Sequence, residues 1–214
     1  MRPGCVRYPG GMPTGSRIDR EDRSLIRQLD AALRDAARKS GPWLVCHPGC
    51  HECCIGPFGI NQLDAYRLKA GLAELSERDP GRAARVGERA RATLGRFAQR
   101  FPSDPVHGAL TENPTAEGWH PDNEPCPALD PETRTCDLYQ ARPVICRSFG
   151  PPVPSESGSL GICEKCFQGA TDAEIAACSV EVDPGDAEAR LIQEVEEATG
   201  VRGTTIVAAC LDGN

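Results

Sequence analysis

The stretch CHPGCHECC, residues 46–54, puts four cysteines and two histidines into nine residues, and the interpretation of the whole sequence depends on it. A disulfide framework, a redox pair and a metal site are three chemical explanations for such crowding. A chain of 214 residues buries enough apolar surface to fold without covalent staples. The 12 cysteines are also clustered, whereas a small disulfide scaffold spreads them more evenly. Clustering favours metal ligation.

The cellular setting is predicted from features that the sequence lacks. No apolar run near the N-terminus resembles a signal-peptide core, and no segment approaches the roughly 18 apolar residues of a membrane span. We therefore predict a cytoplasmic protein with no membrane partner. In that reducing compartment, clustered thiols are more often metal ligands or catalytic groups than disulfides. The net charge of −7 and the lack of a basic stripe argue against a nucleic-acid partner, while a protein partner stays open.

Hydrophobic periodicity predicts a mainly α fold, a small metal-binding helical domain with irregular cysteine-rich loops and at most a short β-hairpin. The hairpin would pair CPALD, residues 126–130, with RTCDLY, residues 134–139. Changes in composition divide the chain into four predicted segments. These are a disordered leader over 1–15, an N-terminal helix over 16–41, a cysteine-cluster metal-binding domain over 42–170 and a C-terminal helical extension over 171–214.

Individual helices are predicted from apolar residues spaced by threes and fours, and from capping residues at their ends. Prolines without any periodicity mark residues 102–125 as a loop. The predicted helices cover 16–39, the stretch from Asn61 to the residue before Pro80, about 81–101, a short helix with a capping box at Thr171 and Glu174, and a longer one capped by Asp183 that ends before Gly200.

Nine cysteines in three groups are the candidate metal ligands. Two C-x2-C pairs occur among them, a spacing that lets one turn place two sulfurs about 2.3 Å from one ion. Nine thiols exceed the four that one zinc ion or one four-iron cluster takes, so the sequence implies either two sites or several spare thiols. The expected cofactor is zinc or iron, including a [4Fe-4S] cluster. The candidate ligands are Cys46, Cys50, Cys53 and Cys54 in the first group, Cys126, Cys136 and Cys146 in the second, and Cys163 and Cys166 in the third.

The neighbours of these cysteines refine the prediction. Adjacent side chains of an extended segment point to opposite faces, so Cys53 and Cys54 cannot easily both bind one tetrahedral ion. His47 and His51 are less favoured as nitrogen ligands where thiols are so plentiful. A thiolate site is anionic, so cations are expected close to it. The arginines nearest the second group in sequence are Arg134, Arg142 and Arg147.

The second block, CPALDPETRTCDLYQARPVICRSFG at residues 126–150, together with CHPGCHECC, resembles the YkgJ-type cysteine-cluster family of zinc- or iron-chelating domains, named for its CxxCxxCC signature. The resemblance covers about residues 43–170 and fills the second block of the family pattern without a gap. The first block departs from it, because three residues and not two separate Cys46 from Cys50. Cys5, Cys178 and Cys210 have no place in the pattern.

The resemblance implies metal chelation but no particular reaction. We therefore predict a metal-binding protein that coordinates zinc or an iron-sulfur cluster. The alternative is an iron-sulfur-dependent redox or protein-modifying enzyme, because flagellin lysine N-methylases carry a similar cysteine block with an iron-sulfur cluster. The sequence shows no set of acid, base or nucleophile that would identify catalytic residues, and no Gly-rich cofactor loop.

Two expectations about geometry complete the prediction. Tyr139, Pro143 and Phe149 are expected to be packing residues that hold the second block in place. Enclosing a metal requires distant segments to converge, so a central set of sulfurs should lie close together. That set is Cys50, Cys53, Cys126, Cys136 and Cys146.

Overall fold

The structure is a computed structural model that describes residues 15–56, 59–97, 123–154 and 160–212. Apart from Gly15 and residues 123–125, the predicted leader and the predicted proline-rich loop lie outside the described residues. Within them the fold is mainly α with very short strands, which confirms the predicted fold class. No helix in this part of the chain is long and apolar enough to cross a membrane.

The described residues form seven α-helices, single turns of 3₁₀-helix and four two-residue strands. The helices are α1 Arg17–Ser40, α2 Gln62–Arg78, α3 Pro80–Phe97, α4 Val144–Ser148, α5 Asp172–Ala177, α6 Ala187–Thr199 and α7 Val207–Leu211. The 3₁₀ turns are Gly41–Trp43, Glu52–Cys54 and Tyr139–Ala141, and the strands are β1 Gly59–Ile60, β2 Val153–Pro154, β3 Leu160–Gly161 and β4 Thr205–Ile206.

Side-chain caps mark the starts of the first two helices, of which the cap at Asn61 was predicted. The Ser16 hydroxyl accepts a hydrogen bond from the Asp19 backbone N–H at 3.1 Å, and the Asn61 side chain accepts one from the Asp64 N–H at 2.8 Å. Each cap satisfies a backbone donor that the helix itself cannot satisfy. The predicted helix over 16–39 and the predicted start after Asn61 are confirmed.

The two predicted C-terminal helices are also confirmed. Thr171 and Glu174 form a reciprocal capping box, with the Glu174 N–H donating to the Thr171 hydroxyl and the Thr171 N–H donating to the Glu174 carboxylate. The Asp183 carboxylate accepts the N–H of Glu188 at 3.0 Å, at the start of α6.

The strands are short and irregular. β1 pairs with β4 and β2 pairs with β3, both antiparallel. The predicted hairpin between residues 126–130 and 134–139 is reduced to one antiparallel bridge between Leu129 and Cys136. The β2–β3 pair was not anticipated.

The described chain divides into two compact units. The first unit contains the described residues within 49–143 and 192–212, and the second contains those within 15–48 and 144–191. These limits do not coincide with the predicted segments, whose standing as domains stays a prediction.

The core of the first unit lies where α2, α3 and α7 pack together. Apolar residues at helical spacing form the buried stripes of α2 and α3, whereas the short helix α7 was not predicted. Members of this core include Ala65, Leu68, Leu75, Val86 and Leu211. The partly buried Cys126 and Cys136 pack against it, so the core supports part of the cysteine group.

One buried cluster of the second unit is made largely of thiols. Cys163, Cys166 and Cys178 form a buried cluster with Phe167, and Trp43 is among the partly buried residues packed against it. In the same unit, the guanidinium of Arg147 on α4 donates to both carboxylate oxygens of Asp30 on α1, at 2.9 and 3.1 Å. This ion pair fixes α4, which also carries Cys146.

Candidate metal centre

The nine predicted ligands are distributed over both units. Cys50, Cys53, Cys54, Cys126 and Cys136 belong to the first unit, whereas Cys46, Cys146, Cys163 and Cys166 belong to the second. The expected convergence of Cys146 with the first set stays a prediction. Among the described residues, no three or more His, Cys, Asp or Glu side chains are placed so that together they could hold one metal ion.

The backbone brings the two halves of the motif together in the first unit. The Cys126 N–H donates to the Cys54 carbonyl at 2.7 Å, and the Gly56 N–H donates to the Glu124 carbonyl at 2.8 Å. A bridge between residues 55 and 125 lies between these bonds. The CHPGCHECC loop is therefore held against the start of the second cysteine block by paired backbone hydrogen bonds.

A tight turn then places Cys136 beside Cys126. The Asp137 N–H donates to the Ala128 carbonyl at 2.7 Å, and the Asp130 N–H donates to the Thr135 carbonyl at 2.9 Å. Arg134 closes this turn with a φ of +55°, a conformation that is uncommon for a residue with a side chain. The two thiols thus lie at opposite ends of one short loop that folds back on itself.

Four thiols of the first unit affect each other's protonation. A hydrogen bond from the Cys54 thiol to the Cys53 sulfur lowers the pKa of Cys53 to about 6 and raises the pKa of Cys54. Charge on Cys126 or Cys136 would raise the pKa of Cys54 further. Because charge interactions fall with distance, these effects place the four sulfurs within range of one another's charge. Cys53 is the thiol of this group most readily deprotonated.

Burial acts in the opposite direction on the second block. It raises the pKa of Cys126 to about 12 and is the main cause of the raised pKa of Cys136. Removing a thiolate from water disfavours its charged form unless a cation compensates. A thiophilic metal ion is one cation that would keep these sulfurs deprotonated.

Of the three arginines predicted near the thiols, Arg142 is the one that acts on the cysteines of the first unit. Its charge lowers the pKa of both Cys53 and Cys136, although neither effect is the dominant one. The guanidinium carbon lies 3.6 Å from the centre of the Tyr139 ring, and Nε donates to the Tyr139 carbonyl at 2.9 Å. Tyr139 thereby holds the cation near the thiols.

The exposure of Tyr139 and Phe149 does not fit the packing role predicted for them. Tyr139 is 55% exposed and Phe149 is 47% exposed, whereas Pro143 is buried as expected. The sequence pattern could not distinguish an aromatic ring that packs in a core from one that stacks on an arginine, because both occupy the same position in the motif.

An ion-pair clamp next to Cys136 was missed. Asp137, with a side chain only 1% exposed, accepts from Arg82 and from Arg89 at 2.5 Å each. Arg89 also donates to the Pro127 carbonyl at 2.8 Å, so one side chain contacts both ends of the turn that carries Cys126 and Cys136. A signal was present, because Arg82 and Arg89 are seven residues apart and lie on one face of α3.

In the second unit the thiols come from separate segments. The sulfurs of Cys46 and Cys166 are 3.9 Å apart. Cys163 and Cys166 are buried, whereas Cys46 is exposed. The Phe167 N–H donates to the Trp43 carbonyl at 2.9 Å, which ties the segment carrying the C-x2-C pair to the segment that leads into Cys46.

The two histidines of CHPGCHECC make local hydrogen bonds. Nδ1 of His47 lies 2.9 Å from the Pro48 carbonyl oxygen, and Nδ1 of His51 lies 3.1 Å from that of Gly49. A carbonyl only accepts, so in each ring Nδ1 carries the proton and Nε2 keeps the lone pair. Either histidine is thus in a tautomer that can bind a metal, but the thiols outnumber them.

The donor chemistry of both groups fits a zinc or iron site. Soft thiolates are the preferred ligands of zinc and of iron-sulfur clusters, and a guanidinium lies beside one group to offset its negative charge.

A cavity next to Cys126 has a volume of about 20 Å³, enough for a water molecule and too small for an organic substrate.

Comparison with known proteins places the chain in a family. The family CxxCxxCC, described as "Putative zinc- or iron-chelating domain", matches residues 45–166, more than half of the chain. No curated protein and no solved structure matches this chain. The matched range begins just before Cys46 and ends at Cys166, so it includes every candidate ligand.

Proposed function

The chain belongs to the CxxCxxCC family of zinc- or iron-chelating domains, and we propose that it binds its metal through cysteine thiolates. The observation that carries this proposal is the pairing of Cys54 with Cys126 through a 2.7 Å backbone hydrogen bond. That bond joins the two halves of the motif and gathers four mutually interacting thiols in the first unit. The proposed ligands are the nine cysteines from Cys46 to Cys166 that the sequence identified.

Binding a metal to this group is a deprotonation reaction. Each ligating thiol must lose its proton, and Cys53 loses it most readily because the Cys54 thiol donates a hydrogen bond to its sulfur. The bound ion supplies the positive charge that keeps the remaining sulfurs ionised. Arg142 offsets part of the excess negative charge on Cys53 and Cys136, which are among the ligands proposed.

The same chemistry supports a reducing setting, which we infer to be the cytoplasm. All of the cysteines within the described residues are free thiols. Thiols that must stay reduced to bind a metal are suited to a compartment in which disulfides are rare. The proposed partner is the metal ion or cluster itself, with no nucleic-acid or membrane partner, since the net charge is −7 and no basic stripe is present.

The test is metal analysis of the full chain purified without oxygen. We expect stoichiometric zinc or iron in the parent protein, with a brown colour if the metal is an iron-sulfur cluster. Cys136→Ser should lower the metal content, because Cys136 lies in the interacting group. The matched control is Cys210→Ala, which changes a cysteine of the same unit that is buried in the apolar core and lies outside the matched range.

Two results would contradict the proposal. The first is a parent protein that retains neither zinc nor iron after purification and also takes up neither when they are supplied under reducing conditions. The second is an equal loss of metal in Cys136→Ser and Cys210→Ala, since the loss would then follow damage to the unit and not the removal of a ligand.

A further inference from the structure

We infer that Cys46, Cys146, Cys163 and Cys166 form a second, mononuclear thiolate site of the zinc type, loaded independently of the thiols in the first unit. The inference rests on the proposed function in taking the ligand to be a thiophilic metal ion. It goes further in assigning two sites, and in assigning a single ion to one of them. Two sites would account for the nine candidate thiols, which are more than the four that one ion takes.

The distance between two sulfurs indicates a single ion. Four thiolates at about 2.3 Å from a tetrahedral centre lie about 3.8 Å from one another, the edge of that tetrahedron. The sulfurs of Cys46 and Cys166 are 3.9 Å apart. A disulfide would hold them at about 2.05 Å. In a four-iron cluster each thiolate binds a different iron, so its sulfurs stand farther apart than two thiolates that share one ion.

The C-x2-C pair has the turn that such a site uses. The Cys166 N–H donates to the Cys163 carbonyl at 2.9 Å, so the chain reverses between the two cysteines. Phe167 follows with a φ of +57°, which continues the tight turn. Both cysteines are buried in one cluster, so packing holds the turn that carries them. The turn therefore supplies two ligands on a fixed scaffold.

Cys146 is the fourth ligand because its segment passes against Cys46. Gly150 lies four residues after Cys146 and has a φ of +124°. A Cβ built on Gly150 would lie 3.1 Å from the Cys46 sulfur, so the backbone approaches that sulfur as closely as a glycine allows. The ion pair between Arg147 and Asp30 holds the α4 segment in this position.

Cys178 is the alternative fourth thiol and is assigned a packing role. It belongs to the same buried cluster as the C-x2-C pair. It lies beyond the range 45–166 that the family pattern covers, whereas Cys146 lies inside it. A buried cysteine commonly packs as a small apolar residue, and that is the role assigned here.

The test uses cobalt(II) as the probe on the full chain, stripped of metal and kept reduced. Cobalt in a tetrahedral thiolate site gives intense visible absorption, so titration counts such sites. We expect Cys46→Ser to lower the cobalt bound by one equivalent per chain. Cys46 is exposed, so this variant removes a ligand with little effect on packing. Cys166→Ser should remove the same equivalent, and Cys136→Ser should leave it in place.

The controls separate this inference from the general one. Cys178→Ala should bind as much cobalt as the parent. The assigned ligand set would be overturned if Cys178→Ala lost one equivalent of cobalt while Cys146→Ser bound as much as the parent. If Cys46→Ser binds as much cobalt as the parent, or if Cys136→Ser alone removes all of it, the second site does not exist. A parent protein that binds no metal at all would contradict the proposed function itself.

Discussion

Replacing Gly71 with alanine should destabilise the first unit, although alanine is the better helix former. Gly71 lies inside α2, and a Cβ built on it would stand 2.3 Å from the Cβ of Ala141. Carbon atoms in contact are normally about 3.5–4.0 Å apart, so α2 and the 3₁₀ turn at Tyr139–Ala141 would have to separate by more than about 1 Å. That turn carries the chain from Cys136 to Arg142.

The magnitude follows from two opposing effects. Overpacking costs about 1–3 kcal/mol, and the close approach to the Ala141 Cβ places this site at the upper end, about 2–3 kcal/mol, whereas the helix propensity of alanine over glycine returns about 1 kcal/mol. The expected net loss in the free energy of unfolding is about 1–2 kcal/mol, measured by urea denaturation of the metal-free protein. Gly95→Ala on α3 is the matched control. No described atom lies within 4 Å of its added Cβ, so it should gain about 0.5–1 kcal/mol.

A second change tests the cause. Ala141→Gly removes the opposing methyl group, so the double variant with Gly71→Ala should recover most of the loss, and a double-mutant cycle should show a favourable coupling of about 1 kcal/mol or more. If Gly71→Ala proves as stable as the parent, or if the two changes are simply additive, then α2 and the turn are not in the close contact on which the argument depends.

Two further predictions concern charged residues in the first unit. Asp137→Asn should lower the free energy of unfolding by about 2 kcal/mol in urea denaturation, because it weakens two ion pairs of a buried carboxylate whose arginine partners are partly exposed. The exposed pair of Arg17 and Glu21 gives the control, since Glu21→Gln should cost well under 1 kcal/mol, and equal losses would refute the argument. Burial alone would raise the pKa of Glu124, but hydrogen bonds and charge from Arg96, with a hydrogen bond from Thr93, outweigh it and hold that pKa below 4.5. The carboxylate therefore stabilises the fold above pH 4.5 and loses this effect as the pH falls through its lowered pKa. The difference in the free energy of unfolding between the parent and Glu124→Gln should accordingly shrink in acid. A difference that does not change with pH would contradict this argument.

Local features of the sequence predicted most of the helices. Caps at Ser16, Asn61 and Thr171 depend on a side chain and a backbone N–H only three residues away, so the sequence contains both partners. The buried stripes of α2 and α3 are predictable for a similar reason, since helical spacing fixes which residues share a face. The confirmed predictions are of this short-range kind.

The missed features depend on contacts between distant segments. Asp137 and its arginine partners on α3 are separated by the part of the chain that includes residues 102–125, and nothing in a linear pattern specifies which acid meets which base. The exposure of Tyr139 was missed for a similar reason. Its ring stacks on the guanidinium of Arg142, and the motif does not show that the two side chains meet. Sequence motifs identified the chemistry of the site, while long-range packing determined which side chains support it.

Two metal sites, one in each unit, would explain why CHPGCHECC contains so many thiols. The boundary between the two units lies between residues 48 and 49, inside this stretch, so Cys46 belongs to one unit and Cys50 to the other. The family signature is also interrupted at this point, by the extra residue between Cys46 and Cys50. If each unit has its own metal site, that extra residue does not disturb a ligand turn, because the two cysteines serve different ions. Cys50 and Cys53 keep the C-x2-C spacing typical of ligands to one ion, and Cys46 would then act together with the C-x2-C of its own unit.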